Sequence, residues 1–260
     1  MLKRLFIVGA GVAGTAAVYG ALTAREAWRD WGVEPSEASE ALPGDDLVAD
    51  AQATDTRGID IAAPPEAVWP WLVQMGYGRA GWYSYDQLDM NHPSASRILP
   101  EHQSLAVGDV LPTDPGGGFE VRVVEPDHAL VAYLDRSLVE AQRGGQGAGP
   151  SGEGTAEGPV AASANVRATG AYLDRAVRGD FAASWAFVLR RHGEGTRLIE
   201  RFRARMEPPG ATPGQRSDRG GLGRRLLGFG VFIMVRRQML GIRDRVEGRL
   251  HQRGVPAPAW

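Results

Sequence analysis

Alternating apolar and polar residues predict a set of β-strands in the middle and later parts of the chain. The four clearest runs are Phe119–Glu125, His128–Asp135, Phe181–Arg191 and Gly195–Met206. Glycine, proline and aspartate stand at the breaks between several of them, as in turns. An earlier run, Thr56–Ala63, sets Ile59 and Ile61 against Asp60. Together these runs predict an antiparallel sheet.

A helical spacing of apolar residues occurs on either side of these strands. After Pro64 and Pro65, a helix is predicted in which Val68, Leu72 and Met75 share one face. Near the end of the chain, apolar residues recur at steps of three and four over Gly223–Leu250. The predicted fold is therefore α+β, with a long C-terminal helix laid over a curved antiparallel sheet. A pocket opens if the helix stands off the sheet.

The N-terminal segment, Leu5–Leu22, contains 18 residues without a charge. That length predicts a transmembrane helix, so residues 1–29 are interpreted as a membrane anchor. The flanking charges favour a single-pass protein of the cell membrane with its domain on the extracytoplasmic side. Two alternatives stay open. One is a cleaved signal peptide, and the other is a dinucleotide-binding turn, because GAGVAG fits G-x-G-x-x-G. The second alternative lacks its second strand, since Trp31–Asp46 is acidic and polar.

The remaining chain divides by composition. Residues 30–52 are polar and acidic and are interpreted as a linker. Residues 53–251 are predicted to form one domain. A glycine-rich tract, Gly144–Gly154, cannot build a core, so an insertion is expected at about residues 140–179.

Composition narrows the possible chemistry. The formal net charge is -2, which does not indicate a nucleic-acid partner. The chain has no cysteine, and its five histidines lack the spacing of metal ligands, so no metal site is predicted. No phosphate loop or serine–histidine–acid order stands out, and no cofactor is predicted.

Three stretches resemble a known superfamily. They are APPEAVWPWLVQMGYGRAGWYSYD, SASRILPEHQSLAVGDVLPTDPGGGFEVRVVEPDHALV and GTRLIERFRARM. They resemble the SRPBCC superfamily, in particular actinobacterial polyketide cyclase/dehydrase-like proteins with an N-terminal anchor. This resemblance implies the START-like helix-grip fold, in which a seven-stranded antiparallel sheet wraps around a long C-terminal helix, with an apolar pocket between them.

Alternation along the strands suggests which residues face that pocket. In TRLIERFRARM the arginines share one face, so Leu198, Glu200 and Phe202 are predicted to face inward. A buried Glu200 is either a pocket acid or one half of a salt bridge. Trp185 and Phe187 belong to one face of their strand, either as pocket lining or as core.

Further candidates come from the segment after the first helix and from the last helix. Trp82, Tyr83, Tyr85 and Asp86 are expected near the pocket mouth, although Asp86 equally suits a helix cap. Phe232 and Met239 are candidates on the C-terminal helix, as pocket lining or as core filling.

These observations support three functional hypotheses. The first is a membrane-anchored module that binds a small hydrophobic or amphipathic ligand, such as a lipid or a polyketide-like molecule. The second is a cyclase/dehydratase-type enzyme that uses the same pocket, and its catalytic residues are not identified. The third is an interaction protein whose cavity is filled by its own side chains.

Overall fold

The computed structural model describes residues 28–89, 92–145, 180–207 and 221–250. The predicted anchor span, residues 5–22, and most of the predicted insertion lie outside the described residues. Within the described ranges, no helix is long and apolar enough to cross a membrane.

The described residues form one antiparallel sheet with several helices. The strands are β1 (Ala53–Ile61), β2 (Val110–Asp114), β3 (Gly117–Glu125), β4 (Ala129–Asp135), β5 (Asp180–His192) and β6 (Gly195–Glu207). The helices are α1 (Pro35–Ser39), α2 (Pro65–Val73), α3 (Asp86–Asp89), α4 (Arg136–Gly145) and α5 (Gly221–Val246). The strand order is β1-β6-β5-β4-β3-β2.

This architecture confirms the predicted α+β class and fits a helix-grip fold. Six strands are seen in the described part of the chain, whereas the resemblance implies seven. The sequence analysis missed β2 and α4. Strand β2 contains Pro112 and lies at the edge of the sheet, where proline is tolerated because one row of donors has no partner strand.

The main core lies between one face of the sheet, called here the inner face, and helices α2 and α5. Helix α2 packs over β5 and β6, and α5 packs on α2 and β1. Val68 and Leu72 of α2 and Met239 of α5 are fully buried there, together with Phe187 and Leu198 of the sheet. The helical spacing predicted for both helices therefore identifies their buried faces.

The segment Trp82–Asp86 packs against α5. A side chain at Gly241 would collide with the carbonyl of Tyr83, so only glycine allows this close approach. The Ser84 hydroxyl donates to the carbonyl of Met234 at 3.0 Å. Arg245 lies over the Tyr83 ring, with its guanidinium carbon 4.5 Å from the ring centroid. These contacts fix the segment at the edge of the core.

The opposite, outer face of the sheet is covered by the segment interpreted as a linker. Arg201 of β6 is buried beneath this segment and donates hydrogen bonds to four of its acceptors. They are the carbonyls of Glu37 (3.0 Å), Ala38 (3.0 Å) and Glu40 (2.6 Å) and the Asp45 carboxylate (2.8 Å). Leu42 completes the cover by packing with Val188 and Ile199. Residues 30–52 are therefore part of the folded domain.

Replacing Arg201 with methionine is expected to lower the free energy of unfolding by about 2–4 kcal/mol. The reason is that the carbonyls that Arg201 satisfies would be left without a partner. Amide hydrogen exchange over residues 34–50 is also expected to be faster in Arg201→Met than in the wild-type protein.

Arg190→Met is the matched control for this prediction. Arg190 also reaches the segment, through Glu40, but this pair is about one-third exposed, so its loss should cost less than about 1 kcal/mol. Unchanged exchange over residues 34–50 in Arg201→Met would show that other contacts hold the segment.

Candidate ligand-binding site

A group of aromatic rings, called here the aromatic patch, lies on the inner face around Trp185 of β5. Trp82 stacks on Trp185 with ring centroids 5.3 Å apart and an angle of 24°. Phe187 and Phe119 contact the same ring at 5.0 and 5.8 Å. Phe202 of β6 meets Phe119 edge-on at 6.4 Å. Three of the predicted pocket residues on the strands thus come together with Trp82.

The aromatic patch is only partly covered. Trp82 and Phe187 are buried, but Trp185, Phe119 and Phe202 remain half-buried although all three lie within strands. Helix α4 covers a neighbouring part of the sheet through Val139, which packs with Leu134 and Phe181. Between the α4 cluster and the main core, the sheet therefore presents apolar rings with accessible surface.

A buried charge network borders the aromatic patch. The Arg57 guanidinium donates to Glu200 Oε2 at 3.0 Å and to Asp55 Oδ2 at 2.8 Å. The indole N–H of Trp185 donates to Glu200 Oε1 at 2.7 Å. Arg57 also donates to the carbonyl of Trp28 at 3.4 Å. Both side chains of the Arg57–Glu200 ion pair are fully excluded from solvent.

The position of Glu200 follows the prediction from alternation, since it shares the inner face with Leu198 and Phe202. Its partner Arg57 was missed, as were Phe119 and Asp55. Arg57 lies two residues before Ile59 and four before Ile61, so the same alternation could have placed it on the inner face. An inward arginine opposite an inward glutamate would have predicted the ion pair.

Burial dominates the ionisation of this network. It raises the pKa of Glu200 above its ordinary value, and the Arg57 guanidinium opposes that rise. Burial likewise raises the pKa of Asp55, again against Arg57. Both carboxylate oxygens of Glu200 already accept a hydrogen bond, one from Arg57 and one from Trp185. The arrangement suits a structural ion pair better than a proton-transfer group.

Phe232 of α5 lies over this network. The Arg57 guanidinium carbon is 5.9 Å from the centroid of its ring. Trp28, Trp31 and Phe229 surround Phe232 at centroid distances of 6.4, 6.1 and 6.0 Å. Phe232 therefore joins α5 to the N-terminal end of the described chain.

Other predicted site residues have structural roles in this protein. Leu198 and Met239 have no solvent exposure and are members of the main core. Tyr83 is buried, with a positive φ of 58°. Its hydroxyl accepts from Gln74 at 2.8 Å and donates to the carbonyl of Trp71 at 3.1 Å. Because burial raises the pKa of Tyr83, this hydroxyl stays protonated at neutral pH.

Tyr85 and Asp86 lie in the covering segment. Tyr85 is exposed. Asp86 begins α3, and its carboxylate accepts a hydrogen bond from Ser94 at 2.5 Å. Ser94 in turn accepts from the backbone N–H of Tyr83 at 3.0 Å. In this structure Asp86 therefore takes part in holding the loop.

Two cavities lie near α4. One of about 180 Å³ lies between α4 and the turn that joins β2 to β3. The other, of about 240 Å³, is lined by the start of α4 together with Tyr133, Asp180 and Arg205. Neither lies between α5 and the sheet. Among the described residues, no group of acidic and histidine side chains is arranged to hold a metal ion.

Comparisons with known proteins give only remote similarities. No family model matches the chain, and no curated protein matches it. Among solved structures, a protein from Mesorhizobium loti shows 17% identity over 76% of this chain and 98% of its own, with a TM-score of 0.34. A Polyketide_cyc-like protein from Corynebacterium glutamicum shows 16% identity over 78% of this chain and 96% of its own, with a TM-score of 0.33. The Aha1 dimer from Colwellia psychrerythraea shows 12% identity over 75% of this chain and 97% of its own, with a TM-score of 0.31. Similarities at these TM-scores assign neither a family nor a function.

Replacing Arg57 with methionine is expected to destabilise the fold in a pH-dependent way. Without the guanidinium, the folded-state pKa of Glu200 rises further above its ordinary value of 4.5. The folded protein then keeps a proton that the unfolded chain has released, so stability is greatest below that value and falls as the pH rises. At mildly alkaline pH the loss in the free energy of unfolding should reach about 3–5 kcal/mol.

Two further variants make this prediction specific. Arg57→Met combined with Glu200→Gln removes both charges and should recover most of the loss at alkaline pH. Arg191→Met breaks an ion pair with Glu66 whose side chains are 59% and 55% exposed, so it should cost less than about 1 kcal/mol at any pH. Denaturant titrations across the pH range measure the free energy of unfolding of all three variants. Equal losses for Arg57→Met at acid and alkaline pH would contradict the assigned ionisation.

Proposed function

We propose that this chain is an SRPBCC-type helix-grip protein that binds a small hydrophobic or amphipathic molecule at the aromatic patch. The observation that carries the proposal is the half-buried state of Trp185, Phe119 and Phe202. Aromatic side chains of this size are costly to leave accessible to water in the middle of a sheet, and a bound apolar molecule would cover them. The resemblance of the PPEAVWPWLVQMG and GWYSYD stretches to SRPBCC sequences supports the same assignment.

The chemistry of the aromatic patch favours an apolar ligand surface. Each Å² of apolar area that the ligand and the rings remove from water contributes about 25 cal/mol. Glu200 is paired with Arg57, and Asp55 is paired with both Arg57 and Arg29, so the network presents little net charge to a ligand. A planar or acyl group against the rings, with its polar end directed to solvent, fits these features.

We also propose that residues 5–22 anchor the protein in the cell membrane, with the domain on the extracytoplasmic side. Support comes from the uncharged length of that segment and from the flanking charges. Such an anchor would keep the aromatic patch close to a source of hydrophobic molecules.

Each alternative function has a specific observation in its favour. The Trp82–Trp185 stack occupies space beside the sheet, which favours an interaction protein with a filled interior. Arg57 and Asp55 place further ionisable groups next to Glu200, which favours a cyclase/dehydratase-type enzyme. Because both carboxylate oxygens of Glu200 already accept hydrogen bonds, the enzyme is the weaker of these two alternatives.

Native mass spectrometry of the full-length chain, released from a mild detergent, tests ligand binding. The expected result is an adduct with the mass of a lipid or another apolar molecule. Phe202→Gln replaces the aromatic ring with a smaller, polar amide and so removes apolar contact area. It should reduce adduct occupancy by roughly 10-fold, since a buried phenylalanine contributes about 1.5–3 kcal/mol.

Met206→Gln is the matched control, because Met206 lies on the same strand and is 40% exposed. It should keep the adduct. A wild-type chain that carries no adduct, and gains none when incubated with fatty acids, would instead support the filled-interior alternative.

A further inference from the structure

The part of α5 from Leu226 to Val235 is apolar on all sides. Leu226–Val235 contains no charged or strongly polar residue. Helices of this kind are normally buried in a protein or in a membrane. Yet Val231 and Ile233 are 40% and 39% exposed, and Gly230 between Phe229 and Val231 is exposed as well. We call residues 228–235 the apolar turn segment.

Trp28 and Trp31 cover one side of the apolar turn segment, and Val235 at its end is buried in the main core. Trp28 packs against Gly228, where an added side chain would collide with its ring. Phe232 contacts Trp28 and Trp31. Val231 and Ile233 are about a half-turn apart on the helix, so their exposure shows that a wide part of the helix circumference is accessible to solvent.

The position of this surface relative to the proposed anchor identifies what covers it. Trp28, which touches the apolar turn segment, is separated from the end of the predicted span at Leu22 by five residues. The six steps from Leu22 to Trp28 span at most about 22 Å even when the chain is fully extended. Whatever bilayer holds residues 5–22 must therefore lie close to this part of α5.

The border of the apolar turn segment has the composition of a membrane interface. Immediately after Val235, the exposed Arg236 places its guanidinium carbon 5.1 Å from the centroid of the Trp31 ring. Tryptophan and arginine are suited to the headgroup level, where a ring or an aliphatic stem contacts apolar groups and the polar end stays in water.

We propose that the apolar turn segment is inserted in the membrane interface beside the anchor, with Val231 and Ile233 in contact with lipid. This inference depends on the proposed anchor but not on ligand binding. It gives the domain a second membrane contact and a fixed orientation. The side of the domain on which Phe232 of α5 lies over Arg57 of β1 then faces the bilayer.

Fluorescent labelling of single cysteines tests this proposal directly, because the natural chain has no cysteine. Val231→Cys and Ile233→Cys, carrying an environment-sensitive nitrobenzoxadiazole probe, are introduced in the full-length chain. The protein is reconstituted in vesicles of phosphatidylcholine with a minority of phosphatidylglycerol. Val107→Cys is the control, since Val107 is 63% exposed and lies in the loop before β2. Unchanged thermal unfolding confirms that each labelled protein keeps its fold.

The expected result is a blue-shifted emission at positions 231 and 233 and quenching by about twofold or more when the lipids carry bromine on their acyl chains. An interfacial side chain lies ~5–10 Å deep, within reach of such quenchers. The probe at position 107 should keep a water-like emission. Water-like emission at 231 and 233 would overturn the proposal. So would a blue shift without bromine quenching, which would mean that protein covers the segment, either residues 5–22 or a second copy of the chain.

Vesicle flotation separates this proposal from the rest of the proposed function. If the chain does not float with the vesicles, the anchor fails and the membrane contact of α5 fails with it. The adduct measured by native mass spectrometry is independent of that outcome. Flotation with water-like probes would overturn only the inserted position of α5.

Discussion

The Arg57–Glu200 ion pair is the interaction on which the arrangement of this domain depends. It joins β1 to β6 inside the core, and its side branches reach Asp55, the indole of Trp185 and the carbonyl of Trp28. A pair of charges without solvent contact is tolerated only when its hydrogen-bonding groups are satisfied. The positions of these neighbouring groups are therefore constrained together, and the aromatic patch is built on that constrained frame.

The same chemistry operates on the outer face of the sheet, with a different result. There, arginines of β5 and β6 meet the acidic segment that precedes β1, as in the pairs Arg197–Glu37, Arg190–Glu40 and Arg201–Asp45. This segment covers the outer face in place of a second layer of helices. The folded unit consequently includes this segment, which lies well before the first strand.

Sequence patterns predicted the parts of this structure that depend on periodicity. Alternation located every described strand except β2 and gave the inward side of Glu200, and helical spacing located the buried faces of α2 and α5. What periodicity missed are features that depend on partners distant in sequence. The acidic composition of residues 30–52 resembles that of a solvated linker, and its contacts with the arginines of β5 and β6 show that it covers the sheet. The half-buried state of Phe119 and Phe202 was likewise not predictable, because alternation gives the face of a residue but not how much of that face is covered. Tyr83 and Asp86 carry side chains that suit a ligand site, but both are engaged in local hydrogen bonds.

The pairing of β1 with β6 has a consequence for the order in which the molecule can be made. Arg57 and Glu200 are 143 positions apart, and the register of the two strands runs from Ala53 opposite Ala204 to Ile61 opposite Thr196. During synthesis, β1 and the residues before it leave the ribosome long before their partner exists. Contacts of such long range are slow to close and leave strand edges unpaired in the meantime. A nascent chain of this kind would need protection of its early strand until β6 emerges, and it would be prone to aggregate if translation stopped between the two.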